Sequence, residues 1–354
     1  MSEEHKITAV KSMRSGRSLK ELATHLGLSQ TTVSRVMNSS GDTHRISAAT
    51  QKRVLAAATE MNYKASPLAR GLRSRRSQTI GVMVPEISGG YSASVLSGIE
   101  DVLLLSGFFY FVVSHHHRAE LLRDYPTLLL SRAVEGIIAV DSALDVELPV
   151  PIVAVSGHLR IPSILNIELD HVLAARFALE HLHRLGHRKI ALIKGQSFSS
   201  DTQVRWQSIV KVAAELGISI DPRLVVALEG DDPTLEPGRV ATHKLLSMGC
   251  PFTAIFAFND LSAMGAIVAL REAGLDVPTQ VSVVGFDDVM GASTNNPPLT
   301  TVHQPLQEMG RAAATALLQR IRNQRLASES SLVKSNSILV LPTFVERKST
   351  AFAP

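Results

Sequence analysis

Short, almost wholly apolar segments recur along the chain from Ile80 onward and alternate with longer amphipathic segments. IGVMV at 80–84 and GIIAV at 136–140 are rich in β-branched residues and have the length of buried strands. The segments at 91–106 and 119–132 instead carry apolar residues at helical spacing. This alternation predicts a parallel sheet that is covered by helices on both faces.

The same alternation occurs in two runs, over 80–160 and over 189–290. Further predicted strands are FFYFVV, PIVAV, KIALI, AIFAF and VSVVGF, and further predicted helices lie near 203–216, 237–248 and 261–273. Two such runs predict two similar subdomains, each with a doubly wound parallel sheet, and a ligand cleft between them at the strand ends. We therefore expect a two-lobed α/β core over 80–354.

The first 63 residues have the pattern of an all-α domain made of short helices. Ser18 and Glu21 form a capping-box pattern at one helix start, and Gly27 is placed to end that helix. Ser29 and Ser47 are predicted to cap a second and a third helix. Two helices separated by a tight turn that contains glycine predict a helix-turn-helix.

Basic residues are concentrated in this N-terminal part. Residues 1–78 carry 14 Lys and Arg against 5 Asp and Glu, whereas the remainder carries 22 against 27. Residues 64–79 are polar and basic, with one short helical turn predicted around 68–72, and look like a linker. A basic head on a mildly acidic body predicts a polyanionic partner for the head, the alternative being a solvated basic tail.

Several functional classes are disfavoured by what the sequence lacks. The single cysteine, Cys250, fits a reducing compartment, and no apolar run reaches the ~18 residues of a membrane span. The N-terminus has no pattern of a secretory signal, so we expect a cytoplasmic protein without a membrane partner. No nucleophile-elbow, phosphate-loop or metal-spaced Cys/His motif is present, so we expect neither an enzyme nor a cofactor.

A metal site is also not expected. His115, His116 and His117 are consecutive at a predicted strand end, where successive side chains point in alternating directions and do not easily bind one ion.

The start of the second helix has the composition that major-groove readout requires. Short polar side chains and one long cation stand at its first turns, while Val33, Val36 and Met37 recur at the spacing of a buried face. The predicted readout set is Ser29, Gln30, Thr31, Ser34 and Arg35. The alternative is an ordinary solvated helix face.

Ordered motifs along the whole chain resemble the LacI/GalR family of bacterial transcriptional repressors. They include LKELATHLGLSQTTVSRVMN, ISAATQKRVLAAATEMNY, LARGL before TIGVMVP, LGHRKIALI, AIFAFNDLSAMGAI, VPTQVSVVGFDD, PPLTTVHQP and LPTFVERKST, and they run from about Leu19 to Ser349. The resemblance implies a helix-turn-helix head over 1–63 (with 1–17 as an extension), a hinge helix and linker over 64–79, and a core like that of periplasmic sugar-binding proteins. It also implies a nucleoid-associated homodimer on a near-palindromic double-stranded DNA operator.

The resemblance assigns DNA-contacting roles to individual residues. Gln30 and Thr31 would select the bases, Arg35 would bind a guanine edge or a phosphate, and Asn38 would contact a phosphate. Leu72 would be the hinge side chain that inserts into the minor groove. Around it, Ala69 would allow close approach and Arg70 and Arg73 would meet phosphates.

Two departures from the family pattern concern this hinge. The chain has Ala65-Ser66-Pro67 where the family usually has Pro-Asn, and Gly71 weakens the hinge helix by about 1 kcal/mol.

The resemblance also implies an effector in the cleft. The residues that it assigns to the effector site, together with polar candidates at the corresponding strand ends, are Tyr91, Ser92, His115, Ser156, Arg205, Asp232, Asn259 and Asp287. Because few aromatic residues were evident among them, we expect a sugar or a sugar acid rather than a flat purine. The alternatives are a helix cap for Asp287, a turn former for Asn259 and a core position for Trp206, and Asp260 is expected to cap the helix that follows it.

Three alternatives stand beside this interpretation. The core could respond to a protein corepressor, or the chain could be a solute-binding protein without a DNA function. The effector could either weaken or strengthen operator binding, because only its differential affinity for the two states decides the sign.

Overall fold

The computed structural model describes residues 18–37, 46–63, 76–142, 144, 147–325 and 337–354. The chain divides into two compact units, Met1–Ser77 and Gln78–Pro354, which we call the head and the core. The predicted hinge residues Ala69, Arg70, Leu72 and Arg73, and also Asn38, lie outside the described residues.

The head contains three described helices, α1 (Leu19–Leu26), α2 (Gln30–Met37) and α3 (Ala48–Glu60). Each contributes one fully buried side chain to a small apolar core, namely Leu22, Val33 and Val54. All three predicted caps are confirmed, since Ser18, Ser29 and Ser47 each accept a hydrogen bond from a backbone N–H of the first helical turn. Gly27 ends α1 with φ +63°, a conformation that suits glycine.

The first lobe of the core is built on a six-stranded parallel sheet. Its strands are β1 (Thr79–Val84), β2 (Phe109–Ser114), β3 (Ile137–Val140), β4 (Ile152–Val155), β5 (Ile164–Leu169) and β11 (Ser337–Val340), in the order β11-β5-β4-β3-β1-β2. Helices α4 (Gly90–Leu105), α5 (Ala119–Ser131) and α11 (Leu306–Arg325) pack with it. Gly98 and Gly310 allow α4 and α11 to approach backbone to backbone, because a Cβ at either position would overlap a carbonyl oxygen of the other helix.

The second lobe repeats the architecture. Its strands are β6 (Ile190–Lys194), β7 (Val225–Ala227), β8 (Ala254–Phe256), β9 (Ser282–Asp287), β10 (Thr300–His303) and β12 (Thr343–Val345), in the order β12-β10-β9-β8-β6-β7. Only β12 is antiparallel to its neighbour. Its helices are α6 (His171–Arg184), α7 (Ser200–Glu215), α8 (Glu236–Ser247), α9 (Asp260–Glu272) and the short α10 (Met290–Thr294).

The chain passes between the lobes three times: from β5 to α6, from β10 to α11 and from β11 to β12. The predicted runs 80–160 and 189–290 form the bulk of the two lobes, but the chain end does not stay with the second one. Helix α11 returns to the first lobe because its apolar face, with Met309, Ala313 and Leu317 buried, completes that lobe's core. Among the described helices, none is both long and apolar enough to span a bilayer.

Candidate functional site

The start of α2 exposes most of the residues predicted to read DNA. The Ser29 Oγ accepts from the Thr32 N–H at 3.1 Å, which fixes the first turn of the helix. Gln30, Thr31 and Arg35 are exposed, while Val33 and Val36 face the apolar core of the head. The exposed surface therefore carries amide, hydroxyl and guanidinium groups on a short capped helix, the groups that hydrogen-bond to base edges.

Ser34 differs from the prediction. Its side chain is only 6% exposed, so it does not share the exposed face of Gln30 and Thr31. Ser34 lies beside Val33 at the border of the buried face of α2, so it is grouped with the apolar side of the helix.

A pocket of about 1040 Å³, open to solvent in part, lies between the two lobes of the core. The strand ends of both sheets border it, since Pro85 follows β1, Asp141 follows β3 and Asp287 ends β9. The N-terminal parts of α4, α7, α8 and α9 and the loops after β2, β6 and β7 complete its wall. This is the place at which ligands bind in open α/β sheets.

Arg205 of α7 is the only arginine among the described residues that line this pocket. It is 3% exposed and donates to the Asp201 Oδ2 at 3.1 Å and to the Phe258 carbonyl. Its guanidinium lies 3.6 Å from the ring centroid of Phe286 and 4.5 Å from that of Phe258, so two aromatic rings contact the cation. Burial alone would raise the pKa of Asp201, but the neighbouring His158, His171 and Arg205 hold it well below its ordinary value.

Asp287 is placed at the pocket as predicted from its strand end. It is 6% exposed, and its Oδ1 has no hydrogen-bond partner among the described residues. Burial raises its pKa well above the ordinary value, against the lowering effect of the Arg205 charge. The Asp287 backbone has φ +108°, an unusual conformation for a residue other than glycine, which fits a functional strand end.

Asn259 also lines the pocket, and it caps α9. Its Oδ1 accepts from the Ser262 N–H at 2.9 Å. The expectation that Asp260 would be the cap was therefore wrong, because the helix starts one residue earlier than that role requires. Asp260 is the first helical residue, and its carboxylate accepts from the Thr301 Oγ1 at 2.6 Å and from the Val289 N–H at 2.8 Å.

The remaining predicted residues fall into two groups. Tyr91 and Asp232 line the pocket. Ser92, His115 and Ser156 are fully buried and do not reach the described pocket wall. Tyr91 donates to the Ser156 Oγ at 3.0 Å and so covers it.

His115 lies behind the pocket wall because its side chain turns inward to another buried residue. Its Nε2 pairs with the Ser142 Oγ at 2.8 Å, and burial lowers its pKa to about 4. The next two histidines, His116 and His117, line the pocket instead. Trp206 does not line it and packs against the core of the second lobe, with the Lys194 Nζ 4.6 Å from its ring.

Besides Asp201, sequence reasoning missed Asp141 and Phe198. Asp141 of the first lobe accepts from the Ser200 N–H at 3.0 Å and from the Ser199 Oγ at 3.2 Å, so it holds the start of α7 in the second lobe. Its position directly after the GIIAV strand was an available signal. Phe198 stacks on His117 at 4.1 Å between ring centroids, and no sequence pattern indicated this pair.

The pocket therefore differs in two ways from the expectation. Its aromatic side chains, which include Tyr91, Phe198 and Phe258, are more numerous than the sequence indicated. Its described lining is also strongly acidic, with seven carboxyl groups against one arginine. The seven are Glu86, Asp141, Asp201, Asp231, Asp232, Asp260 and Asp287.

Comparisons with known proteins agree with both units. Residues 18–66 match the bacterial regulatory proteins of the lacI family, and residues 179–350 match the periplasmic binding protein-like domain. The chain is 31% identical over 331 residues to the HTH-type transcriptional repressor PurR of Photobacterium profundum. The aligned residues cover 91% of this chain and 97% of that protein.

Two solved structures are similar over nearly the whole length. The lac repressor dimer bound to operator and the anti-inducer ONPF matches with a TM-score of 0.82 at 28% identity, covering 95% of this chain and 99% of that one. The complex of the transcriptional regulator CelR with cellobiose matches with a TM-score of 0.68 at 27% identity, covering 94% and 99%.

Proposed function

Because the chain belongs to the LacI family of bacterial transcriptional repressors, we propose that it binds a near-palindromic operator as a homodimer, and that a neutral sugar in the pocket between the lobes controls operator affinity. A protein with this function would act in the cytoplasm, bound to operator DNA.

Operator reading is assigned to the start of α2. Gln30 and Thr31 are exposed beside the buried Val33, so they offer an amide and a hydroxyl at the position where a recognition helix meets base edges. Arg35, one turn further, supplies the cation for a guanine edge or a phosphate. Asn38 and the hinge residues Ala69, Arg70, Leu72 and Arg73 complete the proposed interface on the strength of the family resemblance.

Dimer formation is supported by an apolar patch on the first lobe. Leu104 and Leu105 at the end of α4 are 61% and 91% exposed, and Phe109 on the edge strand β2 is 62% exposed. Phe109 and Phe111 stack edge to face at 5.4 Å. Large apolar side chains grouped on an edge strand and its neighbouring helix favour burial against a second copy, and the similar lac repressor is a dimer on its operator.

The observation that carries the effector proposal is a pair of unpaired polar atoms at the pocket. The Arg205 Nε and the Asp287 Oδ1 are both buried and have no hydrogen-bond partner among the described residues. Buried polar groups are nearly always paired. A sugar hydroxyl can accept from one such group and donate to the other, so neighbouring hydroxyls of one ring satisfy both.

The charge of the pocket decides between a neutral sugar and a sugar acid. The one arginine among the described lining residues is already paired with Asp201, so a carboxylate on the ligand would find that cation neutralised and would meet repulsion from those of the seven carboxyl groups that are ionised. We therefore favour a neutral sugar over a sugar acid. The similar CelR structure holds cellobiose, a neutral sugar.

A nucleoside is the second candidate, because the pocket wall carries a stacked aromatic pair. Phe198 is 41% exposed and stacks on His117, and it offers a ring face to a flat base. The ribose of a nucleoside provides the same neighbouring hydroxyls for Arg205 and Asp287, so the two candidates differ only in whether a base occupies the aromatic side.

A thermal-shift screen of the full chain tests the proposal. D-Ribose, D-xylose, D-glucose and cellobiose form the neutral arm, D-gluconate and D-glucuronate the acidic arm, and adenosine and cytidine the nucleoside arm. A ligand that binds the folded state raises Tm with its concentration. We expect stabilisation in the neutral arm; stabilisation by nucleosides alone favours the second candidate. Stabilisation by the acids alone would contradict both candidates, and a core that responds to none would favour a protein corepressor.

A further inference from the structure

Three side chains that are distant in sequence converge beside the effector pocket. His158 lies in the loop after β4 of the first lobe, His171 is the first residue of α6, and Asp201 is the second residue of α7. Their donor atoms all lie within 4.8 Å of one another. We call these three residues the hinge cluster, because they bring together both lobes beside His171, which begins the first helix after the chain passes from the first lobe to the second. The name does not refer to the hinge helix predicted over 64–79.

The geometry of the hinge cluster is close to that of a metal site. The Asp201 Oδ1 lies 2.5 Å from the His158 Nε2 and 3.4 Å from the His171 Nε2. In a tetrahedral zinc site with bonds of about 2.0–2.1 Å, neighbouring donor atoms are about 3.3 Å apart. The His171 contact already has this spacing, and the His158 contact reaches it by an outward movement of about 0.8 Å.

The nearest polar contact of His171 in the described structure is the Asp201 Oδ1 at 3.4 Å, and it does not have hydrogen-bond geometry. It is 4% exposed, and neither of its ring nitrogens has a hydrogen-bond partner among the described residues. A buried imidazole in which neither nitrogen makes a hydrogen bond is rare and costly. Its Nε2 faces the Asp201 carboxylate at a distance longer than an ordinary hydrogen bond. An ion between the two would satisfy this nitrogen.

We propose that the hinge cluster binds a divalent transition-metal ion, of the class of Zn²⁺, through the His158 Nε2, the His171 Nε2 and the Asp201 Oδ1. Two imidazoles and one carboxylate form a donor set that such ions favour and that Mg²⁺ and Ca²⁺ do not. The second Asp201 oxygen keeps its bond to Arg205.

Glu168 lies near the ring nitrogen of His158 that would not bind the metal. Its Oε1 is paired with the Arg160 Nη1 at 2.9 Å and lies 3.9 Å, beyond hydrogen-bond distance, from the His158 Nδ1, on the side of the ring that faces away from Asp201. Ligating histidines usually direct their second nitrogen toward such a group, which orients the ring and strengthens its basicity. Glu168 is therefore a positioning residue for His158.

A metal at this place would join the two lobes. One ligand comes from the first lobe and two come from helix starts of the second, so the ion fixes their relative position. Because Asp201 is paired with Arg205, the metal ligand and the proposed effector contact would be directly bonded to each other, and each ligand would alter the affinity of the other by the same factor. Sequence spacing gave no signal for the site, since positions 158, 171 and 201 converge only through the fold.

The test is calorimetric titration of the full chain, freed of metal with a chelator, with ZnCl₂. Wild type should bind one Zn²⁺ per chain, and Co²⁺ in its place should give the visible absorption of a tetrahedral site. His171→Asn and His158→Asn should each weaken Zn²⁺ binding by about 100-fold or more, and Glu168→Gln by about 10- to 100-fold.

His181→Asn is the matched control. His181 is also buried on α6, 3% exposed, but it pairs with the Thr350 Oγ1 at 3.0 Å outside the hinge cluster. This variant should bind Zn²⁺ like wild type. If His171→Asn does not fold, as judged by circular dichroism, His158→Asn in the loop decides the question. The proposal is overturned if wild type binds no stoichiometric Zn²⁺, or if Zn²⁺ binding survives the substitution of His158, as it would at a site formed by His116 and His117.

Discussion

We expect Asp260 to make the stability of the core depend on pH between about pH 4 and 7. The carboxyl group is 1% exposed and holds the first turn of α9 against β10 through the Thr301 Oγ1. Burial raises its pKa from 3.8 to about 7, although the hydrogen bonds from Thr301 and Val289 lower it in part. We predict that Asp260→Asn removes a large share of the pH dependence of unfolding between about pH 4 and 7.

The sign and the size of the change in the free energy of unfolding with pH follow from proton linkage. Between the two pKa values the folded chain holds a proton on Asp260 that the unfolded chain has released, so stability falls as pH rises through this window. The loss is about 1.4 kcal/mol per pH unit, and over about three units it reaches about 4 kcal/mol. Below the window both states are protonated and above it both are ionised, so this group then contributes no slope. Asparagine cannot titrate, and the slope that it removes is the contribution of Asp260.

Urea unfolding at pH 5, 6, 7 and 8 measures this difference. Trp206, the only tryptophan of the chain, lies in the second lobe and reports unfolding of the core. The wild-type free energy of unfolding should fall more steeply from pH 5 to 7 than that of Asp260→Asn, by up to about 1.4 kcal/mol per unit. Asp276→Asn, at an exposed position in the same lobe, is the control and should keep the wild-type slope. Equal slopes in wild type and Asp260→Asn would refute the reasoning.

Three further predictions concern DNA, assembly and effector. Gln30→Ala should relax base preference at one or two positions of each half-site, by about 1–3 kcal/mol, in sequences selected from random DNA, while the other positions keep their preference. Leu105→Glu should shift the chain toward monomer in analytical ultracentrifugation and weaken operator binding, whereas a persistent dimer would exclude this patch as the interface. Asp287→Asn should abolish the Tm increase given by the effector and leave operator affinity in gel-shift titration near wild type; an unchanged ligand response would remove Asp287 from the site.

Local patterns were sufficient for most elements of the fold. Strand β1 was predicted from its unbroken apolar run, and all six of its residues are buried. The caps at Ser29 and Ser47 were predictable because capping depends on residues within one turn. The return of α11 to the first lobe was not, since its amphipathic face fits either lobe by sequence and only packing against α4, at Gly98 and Gly310, decides between them.

The residues of the candidate site that lie at strand ends were predictable from the sequence. Those that lie elsewhere were less so. Asp287 and Asn259 follow apolar strands, so the topology brings them to the same edge. His115 satisfies the same rule but turns inward to Ser142, and the sequence contains no sign of that contact. Asp201 was missed because its importance comes from His158 and His171, which reach it from other elements.

Helix α7 is the element through which an effector can act on the relation of the lobes. Its first residue, Ser200, is held by Asp141 of the first lobe, and Arg205, little more than one turn later, meets the pocket. Asp201 lies between them and is bonded to His158, again from the first lobe. A ligand that binds Arg205 therefore acts on a helix that the first lobe holds at two points. The sign of regulation follows from whether the ligand strengthens or breaks these two contacts, because it can shift the equilibrium only by its differential affinity for the two arrangements.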